Sequence, residues 1–514
     1  MTTFSYQPAL RPALPCVYGP LDYREQRARF ERIDAILRSS GLEQEFLNLV
    51  LAERQIDIHA TGAKQLDHFA SRTVLALRSN IARQLTGLDH RDFCARLADS
   101  SLLQWFLHVG EVDCVKVFAK SSSDRFGHWA SEQTVRVING KLTELLASEV
   151  LDYSTGMTPA AALGLAEPIS FDDIYFDSTC LKADIHFPVD WVILRDVTRT
   201  LMKATLVIRQ HGLKNRMPQE PLAFLSTMNT LCMKMTAKFH AKDGKKQRKK
   251  VLREMKSLVN TIAKHAKAHL HALKTRREES DLSEGQAQQI VHRIESVLEQ
   301  LPAAIHQAHE RIIGGRSVAN EDKILSLYDS SINVIQRGKA GAKVEFGNKL
   351  WLGENGDGII VDYQLYQDTP CDSKLIKPAI VRLIDEQQHS VAKVWGDRGL
   401  ASKVNTDMLE KRGIGNGLCP RDPKELADKL VNEKGFREGL KRRAGTEARI
   451  AIFKNGFLGR PLLAKGFEHR EVAVGWAVLT HNLWVAARMA KAEAEKKRKA
   501  EQEEKVRAAM ERAG

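Results

Sequence analysis

Three acidic residues of this 514-residue chain occupy positions from which they could do chemistry together. Asp177 ends a β-prone run, Asp397 follows the apolar run Val391–Trp395 in a turn bounded by glycines, and Glu447 lies in a basic helical stretch. Three converging carboxylates repel one another unless cations lie between them, and their oxygens suit Mg²⁺ or Mn²⁺. Two such ions can activate an attacking oxygen and stabilise the leaving oxygen in phosphoryl transfer.

The helix that carries Glu447 also carries cations at helical spacing. Leu440, Arg443, Glu447 and Lys454 are separated by 3, 4 and 7 residues, which places all four on one helix face. Such a face could hold metal ions and DNA phosphates together. The alternative is an ordinary surface pair of Arg443 and Glu447, worth roughly 0.2–0.5 kcal/mol.

Other side chains compete for these roles but are less well placed. The competing residues are Asp172 and Asp173 for the first acid, Glu425 and Glu433 for the third, and Asp184 with His186 as extra ligands. Asp172 and Asp173 precede the apolar run and are expected at the far end of the strand. The two glutamates lack the arginine-rich helix and the downstream lysine. Asp184 and His186 are interpreted as a surface pair.

The elements expected around these residues alternate between helix and strand. Helices are expected over 23–163, 192–313, 372–387, 436–453 and 471–490, and strands over 174–179, 344–352, 359–366, 391–395 and 417–420. Ser131 is expected to cap a short helix that ends near Gly140. A turn at 353–358 joins two strands as a hairpin. The helical stretch from about 192 to 330 separates the first strand from the rest of the sheet.

Composition limits the class of protein. The chain has 78 Lys and Arg against 64 Asp and Glu, a net charge of +14, which favours a polyanionic partner such as nucleic acid. It is 43% hydrophobic and 28% charged, as in globular proteins, and no window approaches the ~20 apolar residues of a membrane span. Seven scattered cysteines without a CxxC pair disfavour a zinc ribbon or a disulfide scaffold. We therefore expect a cytoplasmic protein without a secretory signal or membrane partner.

Five segments, taken in order, resemble bacterial insertion-sequence transposases of the DDE type. The segments are Phe176-Asp-Ser-Thr179 with Ala183-Asp-Ile-His-Phe-Pro188, Gly338-Lys-Ala-Gly-Ala-Lys-Val-Glu-Phe-Gly-Asn-Lys349, Gly396-Asp-Arg-Gly399, Arg442-Arg-Ala-Gly-Thr-Glu-Ala-Arg-Ile450 and Thr480-His-Asn-Leu483. The family signature Tyr-x2-Arg-x3-Glu-x6-Lys is matched at Arg443, Glu447 and Lys454. Leu440 stands where the family has tyrosine, so this chain departs from the signature there.

The resemblance implies an α/β fold with three parts. It implies an RNase H-like catalytic domain over 166–490, a mixed five-stranded sheet flanked by helices, with a helical insertion at 192–330. It also implies an all-α N-terminal domain, 1–165, that binds terminal inverted repeats. A charged tail, 491–514, follows. The insertion could clamp DNA through residues 245–250 or mediate dimerisation through its long helices. The alternative for 245–250 is a solvated basic turn.

The resemblance further implies a reaction and its residues. Asp177, Asp397 and Glu447 would be the catalytic acids and would hold two Mg²⁺ or Mn²⁺ ions for strand cleavage and strand transfer. A homodimer or larger synaptic assembly would bind the terminal repeats and target DNA. The candidate DNA contacts are Arg443, Lys454, Arg398, Lys339, Lys343, Lys245, Lys246, Arg248, Lys249 and Lys250. The alternatives are an RNase H-like nuclease without transfer activity and a non-catalytic DNA-binding scaffold.

Overall fold

The computed structural model describes residues 4–7, 11, 13–14, 18–109, 115–152, 155–237, 242–339, 342–459 and 461–513. Within these residues the chain is mostly helical, and its named strands form one mixed, six-stranded sheet. The expected α/β class is therefore confirmed at this level. None of the described helices combines the length and the apolar character that crossing a membrane requires.

The described part of the chain begins with a series of helices. They are α1 (Leu21–Ser39), α2 (Leu42–Glu53), α3 (Ala63–Thr86), α4 (His90–Asp99), α5 (Ser101–Leu107), α6 (Lys120–Gly127), α7 (Glu132–Ala147) and α8 (Pro159–Ala162). The predicted cap of α7 is confirmed, because the Ser131 hydroxyl accepts the Thr134 N–H. The predicted end near Gly140 is wrong. Buried Leu142 and Leu146 continue the apolar stripe, and their packing outweighs the roughly 1 kcal/mol cost of a helical glycine.

A single strand and four long helices follow. They are β1 (Asp173–Lys182), α9 (Asp190–Gln210), α10 (Pro221–Ala237), α11 (Gly244–Thr275) and α12 (Glu284–Ala308). The predicted helical stretch over 192–313 is observed as these four helices, and Met255, Val259 and Ile262 of α11 are buried with Ile294 and Val297 of α12. These helices therefore share a core of their own.

The rest of the sheet and its helices complete the chain. They are β2 (Asn333–Lys339), β3 (Ala342–Glu354), β4 (Ile360–Tyr366), α13 (Ile376–Ile380), β5 (Lys393–Gly396), α14 (Lys403–Lys411), β6 (Gly415–Leu418), α15 (Pro423–Asn432), α16 (Phe436–Phe453) and α17 (Phe467–Ala513). The predicted hairpin turn between β3 and β4 is confirmed. The predicted last helix and charged tail form one continuous helix, α17.

The chain divides into two compact units. Residues 1–182 and 349–514 form the first unit, and residues 183–348 form the second. The predicted insertion, 192–330, lies within the second unit. The predicted boundary at residue 165 falls inside the first unit, because α1, α3 and α7 pack on α17. One contact of this packing is the hydrogen bond that the Asn139 side-chain amide donates to the Gly475 carbonyl at 3.1 Å.

Within the first unit β1 lies between β3 and β5 in the sheet. β3 pairs with β4 in antiparallel fashion, whereas β5 and then β6 lie on the other side of β1 in parallel. In the second unit β2 pairs with the amino-terminal half of β3. This strand raises the observed number to six, where five were expected. The parallel pair of β1 and β5 matters most for the candidate site, because β5 ends beside the middle of β1.

Candidate active site

The pairing of β1 with β5 brings the first two candidate acids together. The register joins Ile174 to Val394 and Tyr175 to Trp395. Asp177 and Asp397 each follow the last of these pairs by two residues. Because neighbouring strands lie about 4.8 Å apart, the two acids stand side by side at the carboxyl end of β5, where its pairing with β1 ends. Strand β1 itself continues to Lys182, so Asp177 lies in its middle and does not end it as the sequence predicted. We call the part of the sheet at Asp177 and Asp397 its carboxyl edge. Both residues are half-buried.

The third candidate acid is delivered by α16, which lies on β1 and β5. A Cβ atom at Gly439 would come within 1.9 Å of the Trp395 ring, so only glycine allows the helix this close. Trp395 in turn stacks on Tyr175, with ring centroids 6.0 Å apart, and contacts Phe436. Because this aromatic cluster fixes the start of α16, the next turns carry their side chains toward the carboxyl edge of the sheet.

The same cluster explains the departure from the family signature at Leu440. Its side chain packs against the group formed by Tyr175, Trp395 and Phe436. A leucine here is part of the apolar contact between helix and sheet. Its role in this structure is packing, and a contact with DNA is not required to explain why an apolar residue stands there.

The three candidate acids interact through their charges. Burial, the neighbouring charge of Asp397 and, more weakly, that of Glu447 raise the pKa of Asp177 to about 6. Two groups oppose this shift: the Ser178 N–H, which donates to Asp177 Oδ1 at 2.7 Å, and the guanidinium of Arg443. Sequence reasoning predicted that these three acids converge near Arg443, and the structure brings the four groups within electrostatic range of one another.

Glu447 is the most exposed of the three acids. Its side chain is 61% exposed, and its Oε1 lies 3.8 Å from Nη2 of Arg443. Arg443 is 18% exposed, and its buried Nε has no hydrogen-bond partner among the described residues. The pair has the i,i+4 spacing of an ordinary helical ion pair, but it faces a half-buried, negatively charged strand edge.

The three candidate acids match a divalent cation in their chemistry. Within the described ranges, no three His, Cys, Asp or Glu side chains are close enough together to hold a metal ion. Glu447 is exposed, whereas the other two acids are half-buried. The donors nevertheless fit, because they are all carboxylates, and burial together with the repulsion among them raises the pKa of Asp177. Asp177 and Asp397 are therefore the residues best placed to hold Mg²⁺ or Mn²⁺, with Glu447 as the third donor.

Lys454, expected to contact phosphates, points into the protein. Only 3% of the residue is exposed, and Nζ donates to Thr179 Oγ1 at 3.0 Å and to the Cys180 carbonyl. In this structure its ammonium group therefore binds the carboxyl-terminal half of β1, the strand that carries Asp177, and is turned away from solvent.

The other candidate DNA contacts are distributed over both units. In the first unit Arg398 is exposed in the turn after β5. In the second, Lys245, Lys246 and Lys250 are exposed on the first turns of α11, where Arg248 and Lys249 are half-buried. Lys339 lies in β2 and Lys343 in β3, and their side chains fall outside what the structure describes. These positions are compatible with contact to a polyanion and do not test it.

Two of the competing acids have structural partners. Asp173 accepts a hydrogen bond from the Trp395 indole N–H at 2.6 Å, and Glu433 forms an ion pair with Lys393 at 2.5 Å. Asp173 begins β1, as the sequence predicted, and Asp177 lies in the middle of the strand. Glu425 lies on α15, and Asp184 lies exposed in the second unit.

Sequence reasoning missed three polar residues beside Asp177. The Ser178 hydroxyl donates to Asp372 Oδ1 at 2.9 Å, and Lys349 Nζ donates to the same oxygen at 2.8 Å. The sequence predicted Asp372 only as a helix start, and Lys349 as either a DNA contact or a solvated strand-edge lysine. The adjacency of Ser178 to Asp177 was the available signal, but the pairing across 194 positions was not visible in the sequence.

Comparison with protein-family models, with curated proteins and with solved structures yielded no match to this chain. The function must therefore be argued from the chemistry of the site itself.

Proposed function

We propose that this protein is a DNA transposase of the DDE type, which cuts DNA strands in a metal-dependent reaction and transfers the freed ends to target DNA. The observation that carries the proposal is that Asp177 and Asp397 stand side by side on neighbouring parallel segments, with Glu447 close enough to raise the pKa of Asp177 further. Perturbed acids of this kind are concentrated at functional sites.

The architecture supports this assignment. An RNase H-like fold, as the sequence resemblance implies it, is a mixed sheet flanked by helices. The sheet of the first unit has β1 at its centre, with antiparallel strands on one side and parallel strands on the other. Asp397 follows the carboxyl end of β5, the side at which open α/β sheets bind their ligands, and Asp177 stands beside it on β1.

Each residue of the site has a distinct task in the proposed reaction. Asp177, Asp397 and Glu447 would hold two Mg²⁺ or Mn²⁺ ions. Such ions, when bound, activate the attacking oxygen and stabilise the leaving oxygen in phosphoryl transfer. Arg443 offers a guanidinium that can donate to a phosphate oxygen from within the site. Lys454 holds β1 in place through Thr179 and Cys180 and is a positioning residue.

The second unit supports a DNA partner through its charge. Helix α11 carries many Lys and Arg residues and one acid, Glu254, and its exposed positions include Lys246, Lys250, Lys264 and Lys267. Exposed cations spaced along a helix bind phosphates by releasing counterions, without sequence preference. We propose that this face binds the DNA backbone, that the N-terminal helices bind the element ends, and that a cytoplasmic dimer or larger assembly acts.

The test is strand cleavage of a labelled DNA fragment that carries the coding region with its natural flanks, in Mg²⁺ or Mn²⁺. We expect the wild type to cut the flanks, and Asp177→Asn, Asp397→Asn and Glu447→Gln each to reduce cutting by at least ~10³-fold while DNA binding persists. Asp173→Asn and Glu425→Gln are matched controls that keep cutting, because neither acid lies at the carboxyl edge of the sheet.

The products of the same experiment separate the alternatives. Joining of cut ends to added target DNA supports a transposase, whereas cutting without joining favours an RNase H-like nuclease. Binding without cutting in either metal ion would leave a DNA-binding scaffold and would contradict the proposal. If one of the three variants cuts normally, the corresponding residue does not belong to the site.

A further inference from the structure

A fourth carboxylate lies next to the candidate acids and links three segments of the first unit. Asp372 stands between β4 and α13, and its Oδ1 accepts hydrogen bonds from Ser178 of β1 at 2.9 Å and from Lys349 of β3 at 2.8 Å. Lys349 also donates to the Pro370 carbonyl at 2.6 Å. One oxygen therefore connects the strand that carries Asp177 with the strand beside it.

Asp372 also borders the turn that carries the second acid. A Cβ atom at Gly399 would lie 3.2 Å from Asp397 Oδ1 and 3.4 Å from Asp372 Oδ2. The two carboxylates are thus both neighbours of the same glycine. A side chain at position 399 would contact both of them.

The charge of Asp372 is compensated, in contrast to that of Asp177. Lys349 is 14% exposed and forms an ion pair with Asp372, which is 35% exposed. This lysine was expected to be either a DNA contact or a solvated strand-edge residue, and its ammonium group is instead bound inside the unit. A compensated carboxylate that holds a neighbour in place is suited to orienting the residues around it.

We propose that Asp372, held by Lys349, is a positioning residue that orients Asp177 through Ser178. The Ser178 side chain is fixed by Asp372, and the N–H of the same residue donates to Asp177 Oδ1 at 2.7 Å. The bridge therefore fixes the peptide that directs one oxygen of Asp177 and leaves the other for a cation. This inference rests on the proposed function, since it assigns a task only if Asp177 binds metal.

The competing role for Asp372 is direct binding of a cation. The two roles make different demands on the side chain. Positioning needs an oxygen that accepts the Ser178 hydroxyl, which asparagine retains, whereas a ligand needs the charge, which asparagine lacks. Asp372→Asn and Asp372→Ala therefore separate the two, and Ser178→Ala breaks the bridge without touching either carboxylate.

The experiment is titration of Mn²⁺ into the full-length protein without DNA, followed by electron paramagnetic resonance of free Mn²⁺, with thermal unfolding of each variant as a check. We expect Ser178→Ala and Asp372→Ala each to weaken Mn²⁺ binding about tenfold. The double variant should be no weaker than either single one, because both break one bridge. Asp372→Asn should recover most of the affinity. Asp385→Ala, which breaks an exposed pair with Arg412, is the matched control and should bind normally.

Each other outcome overturns the inference in a recognisable way. If Ser178→Ala and Asp372→Ala melt earlier but bind Mn²⁺ as the wild type does, the bridge is merely structural. If Asp372→Asn binds as weakly as Asp372→Ala, Asp372 is a ligand. In both cases Asp177→Asn still abolishes binding and the proposed function survives. If Asp177→Asn leaves binding unchanged, the proposed function fails and the inference fails with it.

Discussion

Strand β1 carries one aspartate at its start and another in its middle, and their surroundings differ. At the start, the Trp395 indole N–H donates to the carboxylate of Asp173. In the middle, Asp177 stands beside Asp397, a second acid, and burial together with this charge raises the pKa of Asp177 to about 6. The first carboxylate meets a hydrogen-bond donor, whereas the second meets a like charge.

This difference separates an acid with a structural role from an acid suited to binding a ligand. An acid that accepts a hydrogen bond inside the fold contributes to the folded state and needs no ligand. Two neighbouring acids with partial burial cost stability, and such local conflicts are expected at functional sites. A cation bound between Asp177 and Asp397 would therefore relieve their repulsion.

The largest effect is expected from displacing the helix that completes the site. Gly439→Ala puts a methyl group into the Trp395 ring, so α16 must move away from β1 and β5 and take Glu447 with it. We expect a loss of about 3 kcal/mol in unfolding free energy and loss of cutting. Chemical denaturation and the cleavage assay measure the two effects.

The matched control lies on the same helix. A Cβ atom at Gly445 has nothing within 4 Å, so Gly445→Ala should stabilise the protein by up to about 1 kcal/mol and keep cutting. Equal behaviour of the two variants would show that the contact of Gly439 with Trp395 does not position α16.

The comparison of the two aspartates predicts stability effects of opposite sign. Because the pKa of Asp177 is raised in the folded state, that state binds a proton more tightly than the unfolded chain. Stability from this group is full below pH 4 and is lost as the pH rises through about 6. At pH 7.5, Asp177→Asn should therefore raise the unfolding free energy by up to about 3 kcal/mol, and at pH 4 the gain should vanish.

Asp173→Asn should instead destabilise the protein by about 1 kcal/mol at pH 7.5. The amide oxygen of asparagine is a weaker acceptor than a carboxylate for the Trp395 indole N–H. Unfolding in urea at both pH values, without divalent cations, measures the two variants. If Asp177→Asn is destabilising at pH 7.5, the charge of Asp177 is already compensated in the folded protein. The contrast between Asp173 and Asp177 would then be wrong.

A smaller effect on stability is expected at Lys454, whose ammonium group binds β1 next to the candidate site. Lys454→Met removes hydrogen bonds to Thr179 and the Cys180 carbonyl and should cost about 1–3 kcal/mol of stability. DNA affinity of the folded variant should stay unchanged, whereas Arg443→Ala should lower affinity at little cost in stability. Thermal unfolding and DNA binding by fluorescence anisotropy distinguish them. If Lys454→Met lowers DNA affinity and leaves stability normal, Lys454 is a phosphate contact and the structural role is wrong.

Much of the sheet and of the acid pair could be predicted from the sequence. Apolar runs bounded by glycine and polar residues identified β1 and β5. The two acids could be identified because each one follows such an apolar run in the sequence. The helix of Glu447 was predicted with the observed bounds, 436–453. These features depend on local patterns of a few residues, which is why the sequence contains them.

What could not be predicted depends on pairing between distant segments. The spacing of Lys454 from Glu447 placed both on one helix face, but it could not show that the lysine is buried against β1. Likewise, nothing local connects Asp372 with Ser178, which lie 194 positions apart. The second unit separates these segments in the chain, and only the folded sheet brings them together.

The most direct test of the central claim is the location of Mn²⁺ in crystals of the protein, by its anomalous scattering. We predict a peak at the carboxyl end of β5, within coordination distance of Asp177 and Asp397, that is lost in Asp177→Asn and kept in Asp173→Asn. Absence of a peak there, at Mn²⁺ concentrations that support cutting, would contradict the account.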